Sequence, residues 1–492
     1  MTPLLASIVF AVGISGLFLL DRSRKERASA ALWIPCTWLF LAASRVVSEW
    51  LPSAASATGS DDPYMEGNAL DRNVLAGLLA LGIVVLIRRR RRVGILLREN
   101  IPILLYFSYC GLSIFWSEFH DVSFKRWIRS LGDLTMVLLV LSEANPLAAF
   151  KRLFARVGFL LVPLSILLIR YYPDMGRRYS RWDGGLVWTG VTTDKNTLGM
   201  ICLIFALASA WRFLQVWLKS SDSSQRGSLI AHGTVFLLAV WLIWGANSAT
   251  SLACLILAGG VMLLAHQPRL ARKPGLIHLS VATAVLVSVA ALFLDIGSGL
   301  VQGLGRDSTL TGRTEIWRIV LGMGSNRVFG TGYESFWLGP RLEQMWNLYY
   351  NHVNQAHNGY LEIFLNLGWV GLALLAAVLV AGYRRSVAAV VRQTQTGSLR
   401  LAYFIVAVVY NFTEGGFKMM HPVWICFLLA VAATPETQIQ EQPKASADDS
   451  NVPVAVASEL FEDAACVEKL PPPLGSGPRE QGDSLIHRYG HR

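Results

Sequence analysis

The chain alternates long apolar runs with short polar connections over most of its length. The runs reach about 18 to 22 residues, and at about 1.5 Å per residue such a helix crosses about 30 Å of hydrocarbon. Because the last two runs are short and could form one pair of tilted or broken helices, the pattern predicts 12 or 13 membrane-spanning helices. The predicted spans are residues 3–20, 31–51, 72–87, 100–116, 128–142, 153–170, 197–217, 229–246, 249–266, 276–294, 359–382, 400–412 and 421–434.

Composition supports this interpretation. The 492 residues are 53% hydrophobic and 16% charged, with a mean hydropathy of +0.43, which excludes a soluble multidomain protein. The fold class that follows is an all-α polytopic membrane protein. The cysteines show no CxxC spacing, so neither a disulfide framework nor a metal site is indicated.

Basic clusters orient the predicted helices. They stand at residues 21–27, 88–92, 150–152, 268–273 and 383–385, all in odd-numbered connections, which the positive-inside rule assigns to the cytoplasm. The N terminus and the even-numbered connections are then predicted to face outward. Arginines near anionic headgroups account for most of the net charge of +11, so no nucleic-acid partner is needed to explain it.

Three outward connections depart from this charge bias, because they too are rich in cations. They cover residues 116–133, 170–199 and 295–358, and their basic side chains include Lys125, Arg126, Arg129, Arg177, Arg178, Arg181, Lys195 and Arg313. Guanidinium groups beside aromatic belts suit an anionic target that is anchored in lipid, such as a pyrophosphate headgroup. The alternative is that these arginines are anchors whose long stems reach to the headgroups.

The polar stretch before residue 359 contains the other candidate group, His357. We expect Gly359 to be the N-cap of the following helix, with Glu362 as the carboxylate that satisfies free backbone N–H groups. His357 would then face the positive end of a helix, which disfavours a second proton and leaves the imidazole able to accept one from an alcohol. An amphipathic stretch at 314–323 is expected to lie in the interface and to fix Arg313 at headgroup height. A histidine that merely caps a helix start is the alternative.

Several motifs in these loops resemble a known family. "GRTEIW" (312–317), "GTGYESF" (330–336) and "AHNGYLEIFLNLGWVGL" (356–372) are similar to the O-antigen ligase and polysaccharide polymerase family. "SFKRW" (123–127) and "WTGVTTDKNTLG" (188–199) resemble its exopolysaccharide polymerase branch. The resemblance implies a metal-independent, inverting glycosyltransferase of the bacterial inner membrane, whose donor is an undecaprenyl-pyrophosphate-linked glycan on the periplasmic side.

The resemblance also assigns roles to residues of this chain. His357 is the expected catalytic base. The donor pyrophosphate is expected to meet Arg313 and either Arg177 or Arg181, with Lys195 in support. Supporting roles are also expected for Asn358, Glu362 and Asn196. No metal and no cofactor are implied.

The resulting domain prediction has three parts. Residues 1–99 form N-terminal transmembrane helices, residues 100–434 form the ligase- or polymerase-like membrane domain with its periplasmic loop at 295–358, and residues 435–492 form a disordered cytoplasmic tail. Expected partners are the lipid-linked glycan, membrane lipid and polysaccharide export machinery. Three alternatives stay open: a ligase that attaches glycan to the lipid A core, a transporter of lipid-linked or free saccharides, and a structural subunit of an export complex.

Overall fold

The computed structural model describes residues 1–22, 28–51, 67–180, 184–219, 226–293, 310–323, 326–349 and 352–433. These residues form helices joined by short connections, and one two-stranded hairpin. The predicted tail at 435–492 lies outside the described residues. The all-α polytopic class predicted from the sequence is confirmed.

The helices, numbered in chain order, are α1 Pro3–Leu20, α2 Trp33–Ala42, α3 Val47–Trp50, α4 Ala69–Arg88, α5 Arg90–Glu99, α6 Ile101–Leu112, α7 His120–Leu141, α8 Pro146–Tyr171, α9 Pro173–Gly176, α10 Lys195–Lys219, α11 Arg226–Ala246, α12 Ala249–His266, α13 Pro268–Ala271, α14 Pro274–Phe293, α15 Leu310–Gly322, α16 Gly339–Leu348, α17 Gly359–Val391, α18 Gly397–Tyr410 and α19 Pro422–Val431. Short 3₁₀ helices cover Ala30–Leu32 and Ser113–Trp116. Strands β1 (Arg177–Tyr179) and β2 (Leu186–Trp188) pair antiparallel, with Arg177 opposite Trp188.

Within the described part of the chain, seven helices are long and apolar enough to cross a membrane: α1, α4, α8, α10, α11, α12 and α17. Five shorter apolar helices cover Ala30–Ala42, Ile101–Trp116, Pro274–Ala290, Gly397–Tyr410 and Pro422–Val431. The remaining predicted span, 128–142, lies in α7. Every predicted span except 31–51 therefore overlaps one helix, although several helices are shorter than predicted.

Burial separates central helices from peripheral ones. The apolar windows of α8 and α10 are 72% and 78% buried, whereas that of α1 is 11% buried. The largest fully buried side chains include Trp211 and Phe205 of α10 and Phe159 of α8. Helices α8 and α10 thus form the centre of the bundle, and α1 presents its apolar surface outward, as expected of a helix in contact with lipid.

The predicted single span at 31–51 is wrong. Helix α2 ends at Ala42, and the chain turns at Arg45, whose side chain is only 4% exposed. Its guanidinium donates hydrogen bonds to the carbonyl of Thr192 at 2.9 Å and to those of Gly190 and Met175. A buried guanidinium within a continuous helix would lack these carbonyl partners. The helix therefore ends before Arg45, whose side chain binds the backbone on both sides of the β-hairpin.

Helix α17 also differs from the sequence prediction. The chain breaks its helical path at Gly368, which has φ 65°, and the second part continues to Val391 instead of ending near residue 382. Only glycine adopts this conformation without strain, and a Cβ at this position would lie 2.3 Å from the carbonyl oxygen of Val328. The break separates the segment that begins beside His357 from the longer apolar helix that follows.

Connections meet in two groups at opposite ends of the helices. At one end Arg89 pairs with Glu143 at 2.7 Å, and Arg385 donates to Asn100 at 2.8 Å, which joins odd-numbered connections. At the other end Ser117 donates to Ser335 at 3.0 Å, which joins even-numbered connections. We call the second end, which carries His357, the site end.

Candidate active site

A buried carboxylate, Glu414, lies at the centre of the polar residues at the site end. It follows α18 in the connection to α19 and is 7% exposed. Its Oε2 lies 3.2 Å from Nδ1 of His357, and its Oε1 lies 3.2 Å from Nη2 of Arg313. The side-chain amide of Asn196 also donates to Oε1, at 3.4 Å. One carboxylate therefore brings together three residues that the sequence analysis had selected from two separate loops.

Glu414 belongs to none of the sequence motifs described above. The signal in the sequence is an acidic residue in "NFTEGG" (411–416), a short connection between two apolar segments that is predicted to face outward. We call His357, Arg313, Asn196 and Glu414 the Glu414 cluster.

Asn411 shapes the loop that carries Glu414. Its side-chain oxygen accepts hydrogen bonds from the backbone N–H groups of Gly416 at 2.7 Å and Phe417 at 3.0 Å. The N–H of Gly359 donates to the carbonyls of Asn411 at 2.8 Å and Glu414 at 3.1 Å. A Cβ on Gly359 would lie 1.8 Å from Oδ1 of Asn411, so only glycine lets the start of α17 approach the loop this closely.

The start of α17 differs in detail from the prediction. The N-cap is Asn358, whose side-chain oxygen accepts from the N–H groups of Tyr360 and Leu361, both at 3.0 Å, whereas Gly359 had been expected to cap. Glu362 does reach back before the helix, where it accepts the N–H of Ala356, and it also accepts Nε1 of Trp337 at 2.8 Å. Both supporting residues thus fix the backbone on either side of His357.

A small hydrophobic cluster joins the long loop to Leu365 of α17, and it fixes the segments that carry Arg313 and His357 relative to each other. Helix α15 begins at Leu310, so Arg313 lies in its first turn and not ahead of it as predicted. The buried members of this cluster are Ile316, Val320, Phe336, Trp337, Leu342, Met345, Val353, Ala356 and Leu365. Helix α15 therefore packs its apolar face onto the rest of the loop, which carries Arg313 towards Glu414.

His357 has a backbone conformation that is uncommon for a residue other than glycine, with φ 51°. Such outliers concentrate at functional sites, because the surrounding contacts must hold them in place. Its side chain is 25% exposed, so part of the ring is accessible. An ionised carboxylate can only accept, so Nδ1–H donates to Glu414, and in a neutral imidazole Nε2 is then the nitrogen that carries the lone pair. This is the arrangement in which a carboxylate orients a histidine base.

The charges of the cluster favour an ionised Glu414. Burial alone would raise the pKa of this carboxyl, but the hydrogen bond from His357 and the nearby charge of Arg313 outweigh burial, so its pKa lies below the ordinary value. The carboxylate is therefore charged near neutral pH, and it can act as an acceptor for His357 and Arg313 at the same time.

Two further predicted residues, Lys195 and Asn196, stand at the first turn of α10. This helix is capped by Asp194, for which no role was predicted and which accepts the N–H groups of Asn196 at 2.9 Å and Thr197 at 3.0 Å. Asn196 joins the Glu414 cluster, and Lys195 precedes it at the helix start, partly exposed. The N-terminus of α10 thus adds its positive end and a lysine next to the cluster.

Arg177 occupies a different place. It lies in β1, where its Nε donates to the carbonyl of Ile169 at 2.7 Å, and no hydrogen bond joins it to the Glu414 cluster among the described residues. Its proposed contact with a donor remains a prediction, and Arg181 lies outside the described residues. Where the structure describes the chain, no group of three or more His, Cys, Asp or Glu side chains is arranged to hold a metal ion.

Comparison with known proteins gives two findings. A family model described as O-antigen ligase matches residues 234–376, which include Arg313 and His357. Over 286 residues the chain is 26% identical to the "Exopolysaccharide production protein ExoQ" of Rhizobium meliloti (strain 1021). This match covers 56% of the chain and 62% of the relative, so it spans less than two thirds of that protein.

Both findings agree with the motifs read from the sequence. The family model covers "GRTEIW", "GTGYESF" and the first part of α17, and it ends before Glu414. The resemblance is confirmed over residues 234–376, which match the O-antigen ligase family model.

Proposed function

We propose that the protein transfers a glycan from an undecaprenyl-pyrophosphate carrier to a sugar hydroxyl during the assembly of an exopolysaccharide. The observation that carries this proposal is the contact of one carboxylate, Glu414, with both His357 and Arg313 at 3.2 Å. A candidate base and a candidate anion-binding cation thus contact the same carboxylate. Had they lain on opposite flanks of the bundle, they could not have served the same reaction.

In the proposed step His357 acts as the general base. The acceptor hydroxyl gives its proton to Nε2 while its oxygen forms a bond to the anomeric carbon of the donor sugar, and the bond from that carbon to the pyrophosphate oxygen breaks. Attack from the face opposite the leaving group inverts the anomeric centre. Glu414 holds the ring and stabilises the imidazolium that forms, and a base placed in this way contributes about 10²- to 10⁴-fold to the rate.

In this step the proton of the acceptor hydroxyl goes to His357, so the pyrophosphate leaves unprotonated. Nearby cations are therefore needed to stabilise its negative charge. Arg313 presents a fixed fork of donors, and the positive end of α10 offers the side chains of Lys195 and Asn196. Arg177 and Arg181 are further candidates for the same anion. In this scheme side-chain cations neutralise the charge that develops in the transition state, so the reaction requires no metal ion.

The site end is proposed to face the periplasm from the inner membrane. The basic odd-numbered connections at the other end support this orientation, because cytoplasmic loops carry the excess of Lys and Arg. Polymerisation is the function that the similarity to an exopolysaccharide production protein favours. Ligation of a finished glycan to the lipid A core is the second candidate, which the description of the family model favours. Both use the same donor and the same base.

The test replaces His357 by alanine and compares it with His352→Ala, a matched control at an exposed histidine in the same loop. Each variant is expressed in a strain that lacks the gene, its amount in the membrane is measured by immunoblot, and the glycans are analysed. We expect His357→Ala to lose polymer at unchanged protein level and His352→Ala to retain it. Normal polymer from His357→Ala would refute the role of His357 as the general base.

The lipid-linked intermediates of the deletion strain separate the two candidate functions. Single repeats that accumulate on undecaprenyl pyrophosphate would indicate a polymerase, whereas full-length chains that remain unattached would indicate a ligase. If neither accumulates while a labelled saccharide stays on the cytoplasmic side, the transporter alternative replaces both.

A further inference from the structure

A cavity lies at the site end, and none of the residues of the Glu414 cluster lines it. It has a volume of about 410 Å³ and is lined by Trp116, Glu118, Asn326, Phe329, Thr331 and Arg341. Its walls come from the segment between α6 and α7, from the "NRVFGT" loop and from α16. Its volume falls in the range of small-molecule sites.

One wall of the cavity is aromatic and held in place. The rings of Trp116 and Phe329 meet edge to face with centroids 5.9 Å apart, and Nε1 of Trp116 donates to the carbonyl of Phe329 at 3.2 Å. The ring of Tyr109 also contacts the indole of Trp116, with ring centroids 5.9 Å apart. A rigid aromatic surface of this kind can bury the C–H face of a sugar ring, which is its apolar side.

The other wall is polar. Arg341 donates to both oxygens of Glu118, at 3.1 Å and 3.0 Å, and its Nε donates to the carbonyl of Phe336 at 3.2 Å, so the guanidinium plane is fixed. The carboxylate of Glu118 is 59% exposed and keeps lone pairs for further donors. The side-chain oxygen of Asn326 accepts from Val328 and Phe329, which leaves the amide N–H groups for a ligand. Hydroxyl groups are both donors and acceptors, and they match this set.

The charge balance selects the class of ligand. Arg341 is paired with Glu118, so the side chains that line the cavity have no excess cation to attract a phosphate. The Glu414 cluster differs, because Lys195 beside it adds a cation to the Arg313–Glu414 pair. A lipid tail would remove water from this ion pair and would offer no donors to the remaining lone pairs of Glu118. A neutral, polyhydroxylated chain satisfies both walls.

Helix α17 connects the cavity to the reacting centre. Thr331 donates through its N–H to the carbonyl of Leu365 at 3.1 Å, whereas the helix begins at Gly359, beside His357. Six residues of helix separate the two points by about 9 Å at 1.5 Å per residue. A glycan whose end reacts at His357 could therefore reach the cavity with sugars further along its chain.

We propose that this cavity is a glycan-binding subsite, which holds saccharide units remote from the bond that forms or breaks. The proposal rests on the proposed function for the identity of the glycan. Binding of remote units positions the reacting end, and in a polymerase it keeps the growing chain attached between additions.

The test measures binding directly, with full-length protein in lipid nanodiscs. The probes are oligosaccharides of a single repeat unit and of a few repeat units, released from the polymer of the source organism, and the Kd is obtained by calorimetry. We expect Trp116→Ala and Glu118→Ala to raise the Kd about tenfold or more, since each removes one wall of the cavity. If Trp116→Ala does not fold, Glu118→Ala still tests the proposal, because Glu118 is exposed and its substitution should not disturb folding. Glu343→Ala, at an exposed carboxylate elsewhere on α16, should leave the Kd unchanged.

Two further measurements separate this proposal from the proposed function. His357→Ala should bind the oligosaccharides as the wild type does although it makes no polymer, and inorganic pyrophosphate should not displace them from the cavity. An unchanged Kd in both Trp116→Ala and Glu118→Ala, or displacement by pyrophosphate, overturns the subsite. If His357→Ala still makes polymer while the cavity variants lose binding, the proposed mechanism fails and the subsite stands.

Discussion

The indole Nε1 of Trp317 donates a hydrogen bond to the carbonyl of Ala356 at 2.7 Å. Trp317 lies one helical turn after Arg313 on α15, and Ala356 immediately precedes His357. Because Glu362 accepts the N–H of the same Ala356, the residue before the histidine is held on both sides. This single hydrogen bond therefore couples the helix that carries the cation to the loop that carries the base.

Replacing Trp317 by phenylalanine keeps an aromatic ring in the hydrophobic cluster and removes the donor. We expect a cost of about 1 kcal/mol in the free energy of unfolding, the usual value of one hydrogen bond. Polymer formation should fall by more than this stability loss explains, since His357 loses part of its support. Thermal unfolding and polymer yield are the measurements, and Trp244→Phe, at an indole that is 75% exposed, is the control. Equal yields from the two variants would argue against a positioning role.

Replacing Glu414 by glutamine removes the charge that holds Nδ1–H of His357 and pairs with Arg313. A glutamine can also present its N–H₂ group to the ring, which favours the wrong tautomer, so we expect transfer to fall about 10²-fold or more. The rate of transfer in proteoliposomes with a lipid-linked repeat is the measurement. Glu315→Gln, at an exposed carboxylate on α15, is the matched control, and similar rates in both variants would remove Glu414 from the site.

The same carboxylate predicts a pH dependence of stability. The pKa of Glu414 in the folded protein lies below its ordinary value of 4.5, so its ionised form contributes stability that is fully present above that value. This contribution is lost as the pH falls through the folded pKa. The wild type should therefore melt at a higher temperature than Glu414→Gln near pH 7, and the difference should narrow below about pH 4. A difference that stays constant over this range contradicts the assignment.

Replacing Arg313 by lysine keeps the positive charge but loses the fork. Arg313 donates through Nη1 to the carbonyl of Thr413 and through Nη2 to Glu414, and a single ammonium group cannot keep both geometries. We expect transfer to fall about 10- to 100-fold, with a higher KM for the lipid-linked donor if the same guanidinium binds pyrophosphate. Arg318→Lys, at an exposed arginine on the same helix, should behave as wild type. Wild-type kinetics of Arg313→Lys would show that charge alone suffices.

Local patterns predicted much of this molecule. Apolar runs of bilayer length place the spanning helices, since that relation depends only on helix geometry and the thickness of hydrocarbon. The helical spacing of apolar residues at 314–323 predicted α15, although the helix starts earlier, at Leu310. The break between α2 and α3 could not be read in this way, because the carbonyls that Arg45 binds lie about 130 to 150 residues further along the chain.

By itself the sequence determined that the chain is a bundle of membrane-spanning helices, that compact basic clusters stand in odd-numbered connections, and that His357 and Arg313 stand in one long loop. Only the tertiary structure decided that Glu414 joins them, because it approaches from a different connection, 57 residues after His357, and brings Asn196 of α10 with it. Hydropathy is a property of neighbouring residues and can be read along a chain. The partner of a buried charge depends on the tertiary fold, because a desolvated ion is stable only where residues distant in sequence bring an opposite charge and hydrogen-bond donors to it.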